Sequence, residues 1–208
     1  MDKPWTLGAE STIYLIERWG KSLLLKQRPD KPYLLKAIDT HLRSSRTSRE
    51  CKMLTVARGL NVPTPAVHWI DKANHTIVMD YIDGHQLRQL VNDVSPKKLK
   101  SLCNEFGRLI GLLHEGDMVH GDPTTSNVLV DESSKMWLID FGLAELNATV
   151  EMKGVDLHLM KRAFETTHWD LQETMLDAVL LGYKKHIGAD TGPIIQRMEE
   201  IRERGRYH

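Results

Sequence analysis

Cysteine is scarce in this chain of 208 residues: only Cys51 and Cys103, both inside helix-like stretches. Two thiols so placed exclude a disulfide-built scaffold and point to a reducing compartment. Net charge is also missing, since 28 Lys and Arg face 28 Asp and Glu. No overall field draws the chain to nucleic acid or membrane, and any such contact has to come from a local patch. The first ten residues lack an apolar signal core, and no run reaches transmembrane length. Internal repeats and low-complexity segments are absent as well. The expectation is a soluble intracellular protein, cytoplasmic or also nuclear in a eukaryote, with no membrane contact. Its length suits one large domain or two small lobes sharing a cleft.

What is present is concentrated between Val119 and Glu145. Two apolar strand-like runs, Asn127 to Asp131 and Lys135 to Asp140, are joined by a polar turn at Glu132 to Ser134. Asp122 and Asn127 precede the first run and Asp140 ends the second, so a hairpin would bring all three side chains to one end of a small sheet. Phosphoryl transfer from ATP needs such a set: an Asp at the nucleophile, and an Asn and an Asp holding metal beside the phosphates. His120-Gly121-Asp122, Asn127 after four intervening residues, and Asp140-Phe141-Gly142 match in order and spacing the catalytic-loop and metal-binding motifs of protein-kinase-like enzymes. Taken singly, Asp122-Pro123 and Thr124 to Asn127 are also good turn chemistry. A turn, however, does not require a second carboxylate one hairpin later with Phe-Gly attached.

Upstream, Thr6 to Lys26 reads as a twisted β-ribbon turning at Gly20. Leu7-Gly8-Ala9-Glu10 sits where kinases place a loop over the ATP phosphates, with one glycine instead of three. Lys26 ends an apolar strand and could reach those phosphates as a point charge, although a lysine at a strand edge is often only solvated. The stretch from Leu34 to Gly59 turns helical and charged, and Glu50, beside Cys51 and near Met53 and Leu54, lies at an inward-facing edge. In a kinase-like fold one helical Glu pairs with the strand Lys. Val67 to Ile70 and Thr76 to Ile82 form two more strands. Asp80, Tyr81 and Ile82, followed by Asp83-Gly84, read as the hinge whose backbone meets the adenine edge. Ser95 caps a helix with Pro96 at its first position, and Leu99, Leu102, Phe106, Leu109, Ile110 and Leu113 mark its buried face.

After Gly142 the chain has room for helices near 150–167, 170–187 and 191–204, with only a short loop before them. There is no long activation segment with an Ala-Pro-Glu end, and Gly121 replaces the arginine that would bind a loop phosphate. Control by loop phosphorylation and a broad peptide-docking platform are therefore not expected. Asp156, early in the first of these helices, is a candidate cap for the catalytic-loop amides, the bland alternative being a surface Asp. The tail carries Arg202, Arg204 and Arg206 around Gly205 with Tyr207 and His208. By composition alone it is a solvated helix end that could also touch RNA phosphates or an acidic groove.

With these residues in hand, the sequence resembles the small atypical serine/threonine kinases of the KEOPS (EKC) complex, nearly end to end. The resemblance is carried by Gly8-Ala9-Glu10, Lys26-Gln27-Arg28, Arg46-Thr47-Ser48-Arg49-Glu50, His120-Gly121-Asp122 with Thr124 to Asn127, Asp140 to Ala144, Val155-Asp156-Leu157 and Arg204-Gly205-Arg206. It implies an α+β, bilobal protein-kinase-like fold: a small β-rich N-lobe over 1–82 and a reduced, mostly helical C-lobe over 83–208. It also implies ATP and Mg²⁺ as cofactors, Lys26 on the phosphates, Glu50 as its ion-pair partner, Asp122 as catalytic Asp, and Asn127 and Asp140 as metal ligands. The function implied is an ATP-dependent kinase or ATPase role in threonylcarbamoyladenosine modification of tRNA. The partners implied are the threonylcarbamoyltransferase subunit on the C-lobe side, a small subunit on the N-lobe, and tRNA through the complex and the tail. Pro123 and Leu34 depart from the family pattern, which has Leu and Arg there; both are expected near the site. The tail also departs, ending in Tyr207 and His208 instead of further basic residues. An aminoglycoside-kinase-type phosphotransferase shares His-Gly-Asp, the Asn and the Ile-Asp-Phe strand, but needs a larger helical region for its acceptor. A catalytically silent nucleotide-binding subunit is the other alternative, against which the intact acidic and basic set argues.

Overall fold

The computed structural model describes residues 6–7 and 11–204, with side chains from 11 to 201. Its N-terminal part is a five-stranded antiparallel sheet in the order β1 (Thr6–Leu7), β2 (Thr12–Arg18), β3 (Lys21–Gln27), β5 (Thr76–Asp80), β4 (Val67–Asp71). The β2–β3 hairpin closes through Trp19 and Gly20, both at positive φ, which matches the right-handed twist of the flanking strands. Between β3 and β4 runs α1 (Lys36–Gly59), whose buried positions Thr47, Glu50, Met53, Leu54 and Ala57 follow helical spacing. Met53, Leu54 and Ala57 pack into the hydrophobic core together with Ile77 and Met79 of β5. The four-residue steps in this set leave Glu50 on the same inward stripe, and it is buried.

β5 gives way after Asp80 to β6 (Gly84–Gln86), which joins β8 (Val128–Asp131) and β9 (Met136–Leu138) in a three-stranded sheet. The chain thus passes from the N-lobe sheet directly to the edge of the catalytic hairpin through residues 81–83. β6, the short α2 (Leu87–Leu90) that follows it, and the two-residue pair β7 (Met118–Val119) with β10 (Glu145–Leu146) were not expected from the pattern of residues. Apolar alternation along β8 and β9 buries Val128, Val130, Met136 and Leu138 against the helical lobe.

That lobe is built on α3 (Pro96–Glu115), capped as expected by Ser95, whose hydroxyl accepts from the Lys98 amide at 3.3 Å. α4 (Val150–Thr167), α5 (Gln172–Ile187) and α6 (Thr191–Arg204) complete it, close to the expected positions. α3 and α5 approach through a reciprocal pair of glycines. A Cβ on Gly107 would lie 1.9 Å from the Val179 carbonyl oxygen, and one on Gly182 would lie 1.9 Å from that of Asn104. Only hydrogen fits at either crossing point. α3 also packs against β7. No helix among the described residues is long and apolar enough to cross a membrane.

Candidate functional site

The site lies where the two lobes meet. Lys26, near the end of β3, is buried, and its ammonium donates to Glu50 Oε1 at 2.6 Å and to Asp140 Oδ1 at 3.0 Å. The first contact joins sheet to helix within the N-lobe; the second crosses between lobes. Burial alone would push the Lys26 pKa down, but the Glu50 and Asp140 carboxylates outweigh it and hold the amine protonated. Glu50 is shared: its other oxygen accepts from Arg28 Nη2 at 2.5 Å. A single buried carboxylate therefore fixes two cations, a geometry the spacing of Lys26 and Glu50 alone does not reveal. Lys26 and Arg28 are two residues apart along an extended segment, the one signal that pointed to a common face.

Asp140 sits at φ +60°, a left-handed conformation costly for most residues but tolerated by Asp, and it turns the chain out of the hairpin. Its side chain is half exposed. Partial burial would raise the pKa of its carboxyl, but the charge and hydrogen bond of Lys26, with help from the Gly142 amide, pull it below the ordinary carboxylate value. The backbone of Ile139 donates to the Asn127 carbonyl at 3.0 Å, which ties the start of this turn to the catalytic loop.

In that loop Asn127 Nδ2 donates to the Asp122 carboxylate at 2.7 Å and to the Asp122 carbonyl at 2.9 Å. The side-chain amide nitrogen is thereby engaged, and the side-chain oxygen Oδ1 of Asn127 remains for a hard cation. Together with the carboxylate of Asp140 it offers the oxygen donors that Mg²⁺ prefers. No cluster of three or more His, Cys, Asp or Glu able to hold a metal exists among the described residues. The two oxygen donors, one amide and one carboxylate, fit a magnesium ion.

His120 and Asp156 hold the loop in place. His120 is fully buried; its Nδ1 accepts from the Asp122 amide at 3.3 Å and its Nε2 donates to the Ile139 carbonyl at 3.2 Å. One nitrogen accepting and one donating requires the neutral ring. Burial favours that form, lowering the His120 pKa in spite of Asp156, Asp122 and Asp140 nearby. The ring also packs on Phe141, centroids 4.6 Å apart. Gly121 takes φ +82°, and a Cβ there would meet the Leu143 carbonyl oxygen at 2.3 Å, so the absence of an arginine side chain coincides with a position only glycine fills. Asp156 is the cap the sequence suggested. Its carboxylate accepts from the His120 amide at 2.9 Å, the Gly121 amide at 2.8 Å and His114 Nε2 at 3.1 Å. His114 in turn meets the Tyr183 hydroxyl at 2.8 Å. This buried relay through His114 and Tyr183 was missed, since each looks like an ordinary member of a core helix.

Asp80, Tyr81 and Ile82 lead from one lobe to the other; the Asp80 carboxylate is turned away to the Ala66 amide (3.0 Å) and His68 (2.6 Å), and the Asp80 amide donates to the Ala66 carbonyl at 2.9 Å. Gly8, Ala9 and Glu10 lie outside the described residues, as do residues 205–208 and the side chain of Arg204. Pro123 is buried beside Asp122, and Leu34 lines a cavity with Arg28. Arg49 reaches from α1 to the segment after Gly142, donating to the Ala144 carbonyl at 3.1 Å and pairing with Glu145 at 2.8 Å. α1 thereby holds that short segment.

The protein kinase domain model matches residues 20–169, which include Lys26, Glu50, Asp122, Asn127 and Asp140. The chain is 43% identical to the KEOPS complex subunit Bud32 of Pyrococcus abyssi, over 96% of this chain and 94% of that protein. It is also similar to a probable bifunctional tRNA threonylcarbamoyladenosine biosynthesis protein of Methanothermobacter thermautotrophicus, at 38% identity over 96% of this chain. A protein of the same description from Methanosarcina barkeri is 36% identical over 96% of this chain. The chain spans 36% of the first of these bifunctional proteins and 35% of the second, about a third of each.

Proposed function

The chain belongs to the protein kinase family and, within it, to the Bud32 group, and on that footing we propose that it is the Mg-ATP-dependent serine/threonine kinase or ATPase subunit of a KEOPS complex, acting in threonylcarbamoyladenosine modification of tRNA. The observation that carries this reading is the Lys26 ammonium bound at once to Glu50 and Asp140. Protein kinases need the strand Lys, the helical Glu and the metal-holding Asp in place together.

In this reading Lys26 neutralises charge on the nucleotide phosphates, and Glu50 keeps the ammonium aimed across the cleft. Asp122, fixed by Asn127 and by the neutral ring of His120, accepts the proton of the attacking group, a serine or threonine hydroxyl or a water. Asn127 and Asp140 would hold Mg²⁺, which when bound would supply positive charge to the nucleotide phosphates. The backbone of residues 80–82 takes the adenine edge. Residues 1–82 and 83–208 act as the two lobes.

The transfer of the threonylcarbamoyl group belongs to a partner. Bifunctional relatives of which this chain matches about a third support the view that a kinase unit of this type works beside a second activity. Exposed Leu143, Val150 and Trp169 support a partner on the C-lobe. A cavity of about 230 Å³ beside Trp19 and Trp69 supports a small subunit on the N-lobe sheet. tRNA would be met through the complex, with the Arg204-Gly205-Arg206 tail as a second contact.

The test is ATP turnover by the purified chain and by Asp140→Ala, each alone and with the chains it co-purifies with from native extract. Loss of one electrostatic partner of the transferred phosphoryl group costs about a hundredfold or more in rate. The variant should lose turnover to that extent and keep its circular dichroism spectrum, and partner with tRNA should change the wild-type rate. Unchanged hydrolysis in Asp140→Ala, or efficient phosphorylation of aminoglycosides by the chain alone, would falsify the assignment.

A further inference from the structure

The catalytic loop has a second support from the helical lobe, besides Asp156. Thr125, between Asp122 and Asn127, is 2% exposed, and its hydroxyl meets His168 Nε2 at 2.9 Å. His168 is itself buried and lies 43 positions further along the chain. A buried hydroxyl needs a hydrogen-bond partner, and the imidazole supplies it. The imidazole is mounted rigidly. His168 is the C-terminal cap of α4: its amide donates to the Phe164 carbonyl at 2.8 Å, and its carbonyl accepts from the amide of Leu171, the N-cap of α5, at 3.0 Å. Phe164 before it and Met175 after it are core residues. Burial lowers the His168 pKa in spite of Asp170 nearby, so near neutral pH the uncharged ring offers the hydroxyl a hydrogen bond and not a charge.

α4 and its cap therefore hold the loop at two places. Asp156 takes the amides of His120 and Gly121 at the start of the loop, and His168 takes Thr125 near its end. The second hold bears on the metal. Thr125 opens the 3₁₀ turn Thr125–Asn127, in which the Asn127 amide donates to the Thr124 carbonyl at 3.0 Å. In the middle of that turn the Ser126 carbonyl accepts from Gln86 Nε2 at 2.9 Å. A turn pinned at its first two residues leaves the third, Asn127, little freedom to swing. We infer that His168 is a positioning residue for Asn127: acting through the Thr125 hydroxyl, it fixes the turn that aims the Asn127 side-chain oxygen and so sets the affinity for magnesium-bound nucleotide. Groups that orient a metal ligand from behind control metal affinity in this way. The inference rests on the Mg-ATP reading above. The effect of His168 should vanish when the metal is withdrawn, because it works only through Asn127.

The experiment is a calorimetric titration of the full chain with the β,γ-imido analogue of ATP, once with saturating Mg²⁺ and once in excess chelator. Wild type should bind the analogue more tightly with the metal. His168→Leu and Thr125→Val should weaken the metal-dependent binding about tenfold, the cost of losing a group that orients a metal ligand, and leave the affinity in chelator unchanged. Both substitutions together should cost no more than either alone, since each removes the same contact. Thr125→Ser, which keeps the hydroxyl, should recover most of the loss. Should His168→Leu fail to fold, Thr125→Val and Thr125→Ser decide. Equal weakening with and without metal would make His168 a packing residue, and wild-type affinity for the magnesium-bound analogue in Thr125→Val would remove it from the site. Either result overturns the inference while the Mg-ATP reading stands. A wild-type chain whose affinity ignores Mg²⁺ overturns the reading and the inference together.

Discussion

Asp156→Ala tests whether the loop bearing Asp122 is held from below by a single carboxylate. Asp156 is 1% exposed and accepts three hydrogen bonds, from the His120 and Gly121 amides and from His114. Burial would raise the pKa of this carboxyl; the hydrogen bond from His114, with the amide of His120, more than reverses that and holds it below its ordinary 3.8. The ionised form is thus net favourable in place. Its removal leaves two backbone donors and an imidazole donor facing a void. An unsatisfied buried donor costs about 1–3 kcal/mol. Water entering the space left by the carboxylate would return part of this, so a loss of about 3 kcal/mol is expected. For a chain of this size that lowers the melting temperature by roughly 6–12 °C. Urea unfolding followed by circular dichroism measures the first quantity and a thermal scan the second. ATP turnover should fall as well, even at temperatures where the variant is folded, because Asp122 follows directly on the released amides. The pH dependence has a definite sign. A carboxyl with a depressed folded-state pKa stabilises fully above its unfolded value near 3.8, and that share is lost as pH falls below it. Wild type should therefore lose more stability between about pH 5 and pH 2 than the variant does. A variant within 1 kcal/mol of wild type with normal turnover would refute the reasoning.

Other substitutions probe different parts of the design. Arg49→Met removes the tie from α1 to Ala144 and Glu145; as the Arg49–Glu145 pair is largely exposed, stability should change by less than about 1 kcal/mol. Turnover should fall several-fold, and a melting-temperature drop without a rate change would assign Arg49 to packing instead. Gly182→Ala drives a Cβ against the Asn104 carbonyl and should cost about 3 kcal/mol by forcing α3 and α5 apart. Gly192→Ala, in α6 with open space around it, serves as the contrast and should be neutral or stabilising by up to about 1 kcal/mol in the same urea assay.

The parts of this fold that the sequence discloses are those with a local signature. Ser95 and Pro96 announce α3 because capping acts within one turn, and the strands of the catalytic hairpin follow from apolar alternation at Val128, Val130, Met136 and Leu138. β6, β7 and β10 escaped, since two or three residues are too few to show a period. The candidate site divides in the same way. Asp122, Asn127 and Asp140 are legible from spacing because their motifs need a fixed loop and hairpin between them. The electrostatic frame around them is not, because each contact joins residues far apart in sequence: Lys26 to Asp140 spans 114 positions and His114 to Asp156 spans 42. Along α3 His114 merely follows Leu113 in an apolar run; only the fold shows that its ring faces a buried carboxylate and a buried phenol. Arg28 is the sharpest case. In the chain it is one more cation beside Lys26, whereas in the structure it shares the same buried glutamate. Spacing identifies groups that act on a common ligand; the contacts that hold those groups in place join distant residues and are visible only after folding.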